Sequence, residues 1–153
     1  MSNHDNWVPE WSDLKIAISL LSRIPLHNDT QHLLSRGPNH LWAFPIVGIL
    51  IGFICCFLVW ISVLLQLDNF AIGFLIVTAA AITTGAMHYD GLADTLDGLW
   101  GGWSAPQRLE IMKDSHIGVY GVLGLVISAG LQAALYGQII QQSIWPIIGI
   151  MTI

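Results

Sequence analysis

From Ala43 to Leu67 the chain runs AFPIVGILIGFICCFLVWISVLLQL without one charged side chain. A helix needs about 20 apolar residues to cross the hydrocarbon of a bilayer, and this run is long enough with some tilt. Backbone polar groups in lipid must find partners within their own segment, so a helix is expected here. The turn Asp68-Asn69 follows, and Phe70 to Met87 form a second apolar run. The two read as a helical hairpin. Ile117 to Ile140 read as a third span. Its Gly118, Gly121, Gly124 and Gly130 either permit close helix packing or are merely tolerated.

The rest of the chain agrees. Only 10% of its residues are charged, against about a quarter in a soluble domain. The net charge of −5 argues against nucleic acid, which calls for basic patches. Cys55 and Cys56 are adjacent within the first span and read as core or lipid-facing residues. Trp11 to Leu21 carries Trp11, Leu14, Ile18 and Leu21 at helical spacing, with Asp13 and Lys15 off the stripe. It is expected either to lie on the membrane surface or to pack on its own protein. The start lacks the basic and apolar regions of a signal peptide. Ile144 to Ile153 is apolar but too short to span. The expectation is an all-α, polytopic integral membrane bundle with three complete spans and a truncated fourth. Residues 1–42 form a cytoplasmic or interfacial segment, and residues 43–153 the membrane domain, with further spans expected beyond Ile153.

Lys15, Arg23 and Arg36 precede the first span, and Arg108 and Lys113 follow the second. Two crossings return the chain to its starting side. All five basic residues then share one side, which positive charge assigns to the cytoplasm.

The connection 88–116 is where chemistry concentrates, holding five of the ten acidic residues. Asp90, Asp94 and Asp97 stand at i, i+4 and i+7. On a helix, Asp94 lies roughly 40° from Asp90 and Asp97 roughly 20° the other way, so all three share one face. Packed like charges do not stabilise a helix, but a divalent cation among them would make the arrangement favourable. Mg²⁺ takes oxygen ligands and completes its shell with substrate phosphates. Two other readings stand beside this one. The acids are a solvated cap, or His88 joins Asp90 and Asp94 at a zinc ion, without a second His or Cys at ligand spacing. Arg108 and Lys113 are the cations nearest in sequence. They serve either a phosphate group or membrane topology alone.

The stretch from Thr84 to Gly98, TGAMHYDGLADTLDG, resembles the TG-x-LH-x-DGLADT-x-DG signature of cobalamin synthases. Arg108 to Gly118, RLEIMKDSHIG, resembles their R-x-x-IMKDS-x-IG. Arg36 ahead of Phe44-Pro45-Ile46-Val47-Gly48, and Ser22-Arg23-Ile24-Pro25, match two further signatures. Met87 replaces the usual Leu, Tyr89 fills a variable site, and Leu20 stands where Phe is common. No charged motif residue is lost.

The resemblance implies a membrane transferase that joins adenosylcobinamide-GDP to α-ribazole, or its 5′-phosphate, and releases GMP. It implies Mg²⁺ as cofactor on Asp90, Asp94 and Asp97. It implies catalytic roles for His88, Arg108, Lys113 and Asp114, and substrate binding by Arg23, Arg36 and Glu110. A bacterial inner membrane, and a homo-oligomer or a complex with other cobalamin-assembly enzymes, are expectations of the same kind. A CDP-alcohol phosphotransferase is the nearest alternative, but its pattern wants Ala-Arg where Ala93-Asp94 stand. A cation transporter would want its acids in mid-span.

Overall fold

The computed structural model describes residues 8–26, 37–143 and 145–151. They form helices with no strand among the described residues. The helices are α1 (Trp11–Leu21), α2 (Phe44–Leu64), α3 (Asn69–Thr84), α4 (Met87–Gly101), α5 (Ala105–Ile111), α6 (Val119–Gln142) and α7 (Pro146–Met151). A 3₁₀ segment, Gly37–Ala43, leads into α2. Pro at the second position of α2 suits a helix start, where its missing N–H costs nothing. The helical stretches Pro38–Leu64 and Val119–Gln142 are each long and apolar enough to cross a membrane, and α3 with α4 make a third span if taken as one bent pair.

The core lies where α2 meets α1, α3 and the end of α6. Ala17, Val47, Ile51, Cys55, Val59, Ile72 and Ile76 are buried in it. Both cysteines are free and buried, the core alternative of the two expected from the sequence. Phe53, Phe57 and Trp60 on α2, and Val126, Ile127 and Leu131 on α6, are exposed instead. Such apolar outer faces suit lipid and would be costly in water.

Helices α3 and α6 pack closely because both lack side chains where they cross. A Cβ on Gly73 would land on the backbone carbonyl of Ala133, and one on Gly137 would stand 2.6 Å from the Asn69 carbonyl oxygen. Small residues let membrane helices approach to backbone contact.

The amino-terminal helix packs on its own protein, against the 3₁₀ segment and α2. Its expected stripe is rotated. Trp11 is exposed, while Ile16, Ala17 and Asp13 are buried. Asp13 turns inward because it has partners there: it accepts from the Trp42 indole at 3.0 Å and from the Glu10 N–H at 2.9 Å. A buried carboxylate is tolerable only when bonded in this way.

The second apolar run does not continue straight to Met87. Helix α3 ends at Thr84, and α4 leaves it at 96°. Gly85 (φ 68°) and Ala86 (φ 59°) both adopt the left-handed conformation there. For Ala86 that costs roughly 1–2 kcal/mol, so the surrounding packing must hold the corner. The Arg23 N–H donates to the Thr83 carbonyl at 2.7 Å, and the Arg23 side chain lies over Gly85.

Candidate functional site

The 96° corner takes the acidic helix out of line with α3 and lays it against the first half of α6, from Gly118 to Gln132. All three aspartates are on α4, as their spacing predicts, but their surroundings differ. Asp90 is exposed, Asp94 is half-buried and Asp97 is buried. Asp90 and Asp94 line a pocket of about 310 Å³ with Ala93, Met112, Lys113, Asp114, Ser115, His116 and Ile117. The two sequence signatures, distant by some twenty residues, thus form the walls of one pocket. Helix α5 is short, and the turn after it brings Lys113 and Asp114 back over α4.

Asp97, at the far end of the same face, is taken up by α6 instead. Its two carboxylate oxygens accept from the Gly118 N–H at 2.7 Å and the Gly121 N–H at 2.8 Å. Gly118 caps α6 and has no side chain to do so itself. Unsatisfied amides at a helix start attract an acceptor and favour negative charge, and Asp97 meets both demands. Among the described residues, no three His, Cys, Asp or Glu side chains gather closely enough to hold a metal ion together. Asp90 and Asp94 remain as a pair of hard oxygen donors, facing a pocket that also holds an ammonium group. That donor set fits Mg²⁺, which takes one or two carboxylates and keeps waters and phosphate oxygens for the rest.

The other expected site residues are dispersed. His88 and Tyr89 line a separate cavity of about 330 Å³ with Thr84, Ser128, Gln132 and Tyr136. The Tyr89 hydroxyl donates to Gln132 at 2.9 Å, and the Gln132 amide donates to Ser128 at 3.1 Å. Gln132 and Ser128 stand in mid-helix within a candidate span, and their polarity there was the overlooked sign of this cavity. Arg108 is not brought into the carboxylate pocket. Its Nε donates to the Gly102 carbonyl at 2.9 Å, beside Trp100 and Trp103. An orphan carbonyl at the end of α4 is thereby satisfied. Glu110 is exposed on α5 and does not line the pocket. Arg23 sits at the corner, and Arg36 lies outside the described residues. Of the four glycines noted on α6, Gly118 and Gly121 are needed to admit Asp97 and Gly124 to admit Leu96, whereas Gly130 meets nothing.

His116 fills the variable position of the second signature, which by itself points to no role. Its Nδ1 lies 2.6 Å from an Asp114 carboxylate oxygen at the pocket rim. That hydrogen bond holds the His116 pKa above its ordinary value of 6.5 and the Asp114 pKa below its own. The charged pair is therefore complete above the depressed Asp114 value and below the raised His116 value. It weakens as pH rises through the latter, when His116 loses its proton. In an NMR titration the His116 midpoint should lie above 6.5 and fall back towards it in Asp114→Asn.

Residues 13–153 match the sequence model of the family described as Cobalamin-5-phosphate synthase. The chain belongs to that family. A relative from Rhizobium etli (strain CIAT 652), named adenosylcobinamide-GDP ribazoletransferase, is 40% identical over 135 residues, which cover 86% of this chain and 51% of the relative. A Shewanella frigidimarina protein of the same name is 39% identical over 131 residues, covering 82% and 48%. One from Bradyrhizobium diazoefficiens is 40% identical over 121 residues, covering 79% and 46%. The chain spans about half the length of these curated relatives. No solved structure is detectably similar.

Proposed function

We propose that this chain carries the phosphate-binding part of an adenosylcobinamide-GDP ribazoletransferase. The observation that supports it best is the pocket in which Asp90 and Asp94 from one signature face Lys113 from the other. Phosphoryl transfer rests mainly on positioning and charge neutralisation, and a carboxylate pair opposite an ammonium group provides for both. A ribazole hydroxyl oxygen would bond to the phosphorus that carries cobinamide. The bond from that phosphorus to the bridging oxygen would break, and GMP would leave with that oxygen. Asp90 and Asp94 would hold Mg²⁺, which supplies positive charge to the pyrophosphate. Lys113, which lines the pocket, would bind a phosphate oxygen of the departing nucleotide. Asp114, on the pocket wall, would take the hydroxyl proton. His88 faces the other cavity and is less well placed for it.

If α3 crosses the membrane, α4 at 96° to it lies near the plane of the surface. Trp100 and Trp103, both exposed, suit that depth. The one-sided distribution of Lys and Arg supports a cytoplasmic side for this surface, and the family resemblance supports a bacterial inner membrane. The deciding experiment supplies the full-length protein in liposomes with adenosylcobinamide-GDP, α-ribazole and Mg²⁺. GMP and a cobalamin product are expected in equal amounts. Hydrolysis without joining, or no turnover in a well-folded preparation, would refute the assignment.

A further inference from the structure

We infer that Asp97 is a positioning residue, which latches the acidic helix to α6 and so holds the pocket closed around Asp90 and Asp94. Three observations converge on it. Asp97 is buried, at 8% exposure, in a carboxylate-rich segment where Asp90 is exposed and Asp94 only half-buried. Its two oxygens are each used by one backbone amide, of Gly118 and of Gly121, and these come from residues 21 and 24 positions further on. A Cβ at either glycine would fall into that carboxylate. One contact thus explains an aspartate in the first signature and the Gly118 that closes the second.

The latch has a definite mechanical effect. Gly118 follows directly on the turn Lys113–Ile117, which forms the far wall of the pocket. Fixing Gly118 and Gly121 to α4 fixes where that turn ends relative to Asp90 and Asp94. A local cap on α6 would satisfy the same amides but leave the two walls unconnected. The Asp97 charge faces the positive end of a 24-residue helix, which stabilises it without a metal ion.

The inference takes the proposed transfer as its measure of turnover, but two of its measurements stand apart from that reading. Full-length protein in nanodiscs would be compared as wild type, Asp97→Asn, Asp94→Asn and Gly121→Ala. Mn²⁺ binding is followed by its paramagnetic signal, and hydrogen exchange by mass spectrometry on peptides covering 116–125. Asparagine must turn its NH₂ towards one of the two amides. Asp97→Asn should therefore speed exchange in that peptide tenfold or more, and lower turnover, with Mn²⁺ affinity within about twofold of wild type. Gly121→Ala removes no carboxylate and should reproduce that pattern, which keeps the test open if Asp97→Asn does not survive purification. Asp94→Asn should do the reverse, weakening Mn²⁺ tenfold or more with unchanged exchange. Weakened Mn²⁺ binding in Asp97→Asn with exchange left at the wild-type rate would overturn the latch. If wild type shows no transfer at all, the reaction assignment fails while the exchange and Mn²⁺ results still decide the role of Asp97.

Discussion

Asp94→Asn in the full-length protein should lower transfer by about a hundredfold or more, with expression and membrane insertion intact. Removing one preorganised charge contact from a transition state costs about that much. Asp94 stands in the middle of α4, half-buried, between Asp90 and the Lys113 wall. From that position Asp94 cannot cap its own helix, and the substitution separates the two readings, because Asn serves a cap about as well as Asp. Steady-state release of GMP at limiting and at saturating Mg²⁺ is the measurement. A partial return of activity at high Mg²⁺ is expected, and turnover near the wild-type rate at limiting Mg²⁺ would show the pocket to be misassigned.

The largest structural effect should come from Gly73→Ala. The added methyl would meet the Ala133 carbonyl, and the Gly137 nitrogen at 3.0 Å, so both neighbours are backbone and neither can rotate away. Helices α3 and α6 would have to separate, at a cost of about 3 kcal/mol or more, the upper end of what overpacking a core produces. Thermal unfolding followed by size-exclusion in detergent should show a markedly lower midpoint than wild type. Gly130→Ala makes the control, since a Cβ there meets nothing within 4 Å. A Gly73→Ala protein as stable as that control would mean that the helices do not cross at this point.

Much of this fold could be read in advance because lipid imposes a simple rule of length. Ala43 to Leu67 and Ile117 to Ile140 announce two membrane helices with ends correct to a few residues. The corner at Gly85-Ala86 was hidden, since the apolar run continues to Met87 and hydropathy does not register a left-handed backbone. The site divides similarly. Helical spacing put three aspartates on α4, and they are there. It could not show that Asp97 has partners 21 and 24 residues away, because the arrival of α6 against that face is a tertiary event. Asp13 illustrates the same limit. It looked like a surface acid beside an apolar stripe, and only the distant Trp42 indole makes its burial possible. Arg108 and Lys113 were equal candidates by sequence. The orphan carbonyl of Gly102 claimed the first and left the second facing the pocket.

The corner after Thr84 also sets a depth. Sixteen residues of α3 rise about 24 Å, several ångströms less than the roughly 30 Å of hydrocarbon in a typical bilayer. With α4 fixed at a right angle to it, the helix cannot lengthen its reach by continuing straight. If α3 makes the crossing by itself, the lipid must yield instead, thinning beside α3, because the alternative draws Asp90 and Asp94 towards the acyl chains, where charge is costly. Acyl-chain length therefore becomes a control on the pocket. Short-chain lipids would seat its carboxylates in the headgroup layer, and long-chain lipids would strain the corner that holds them there.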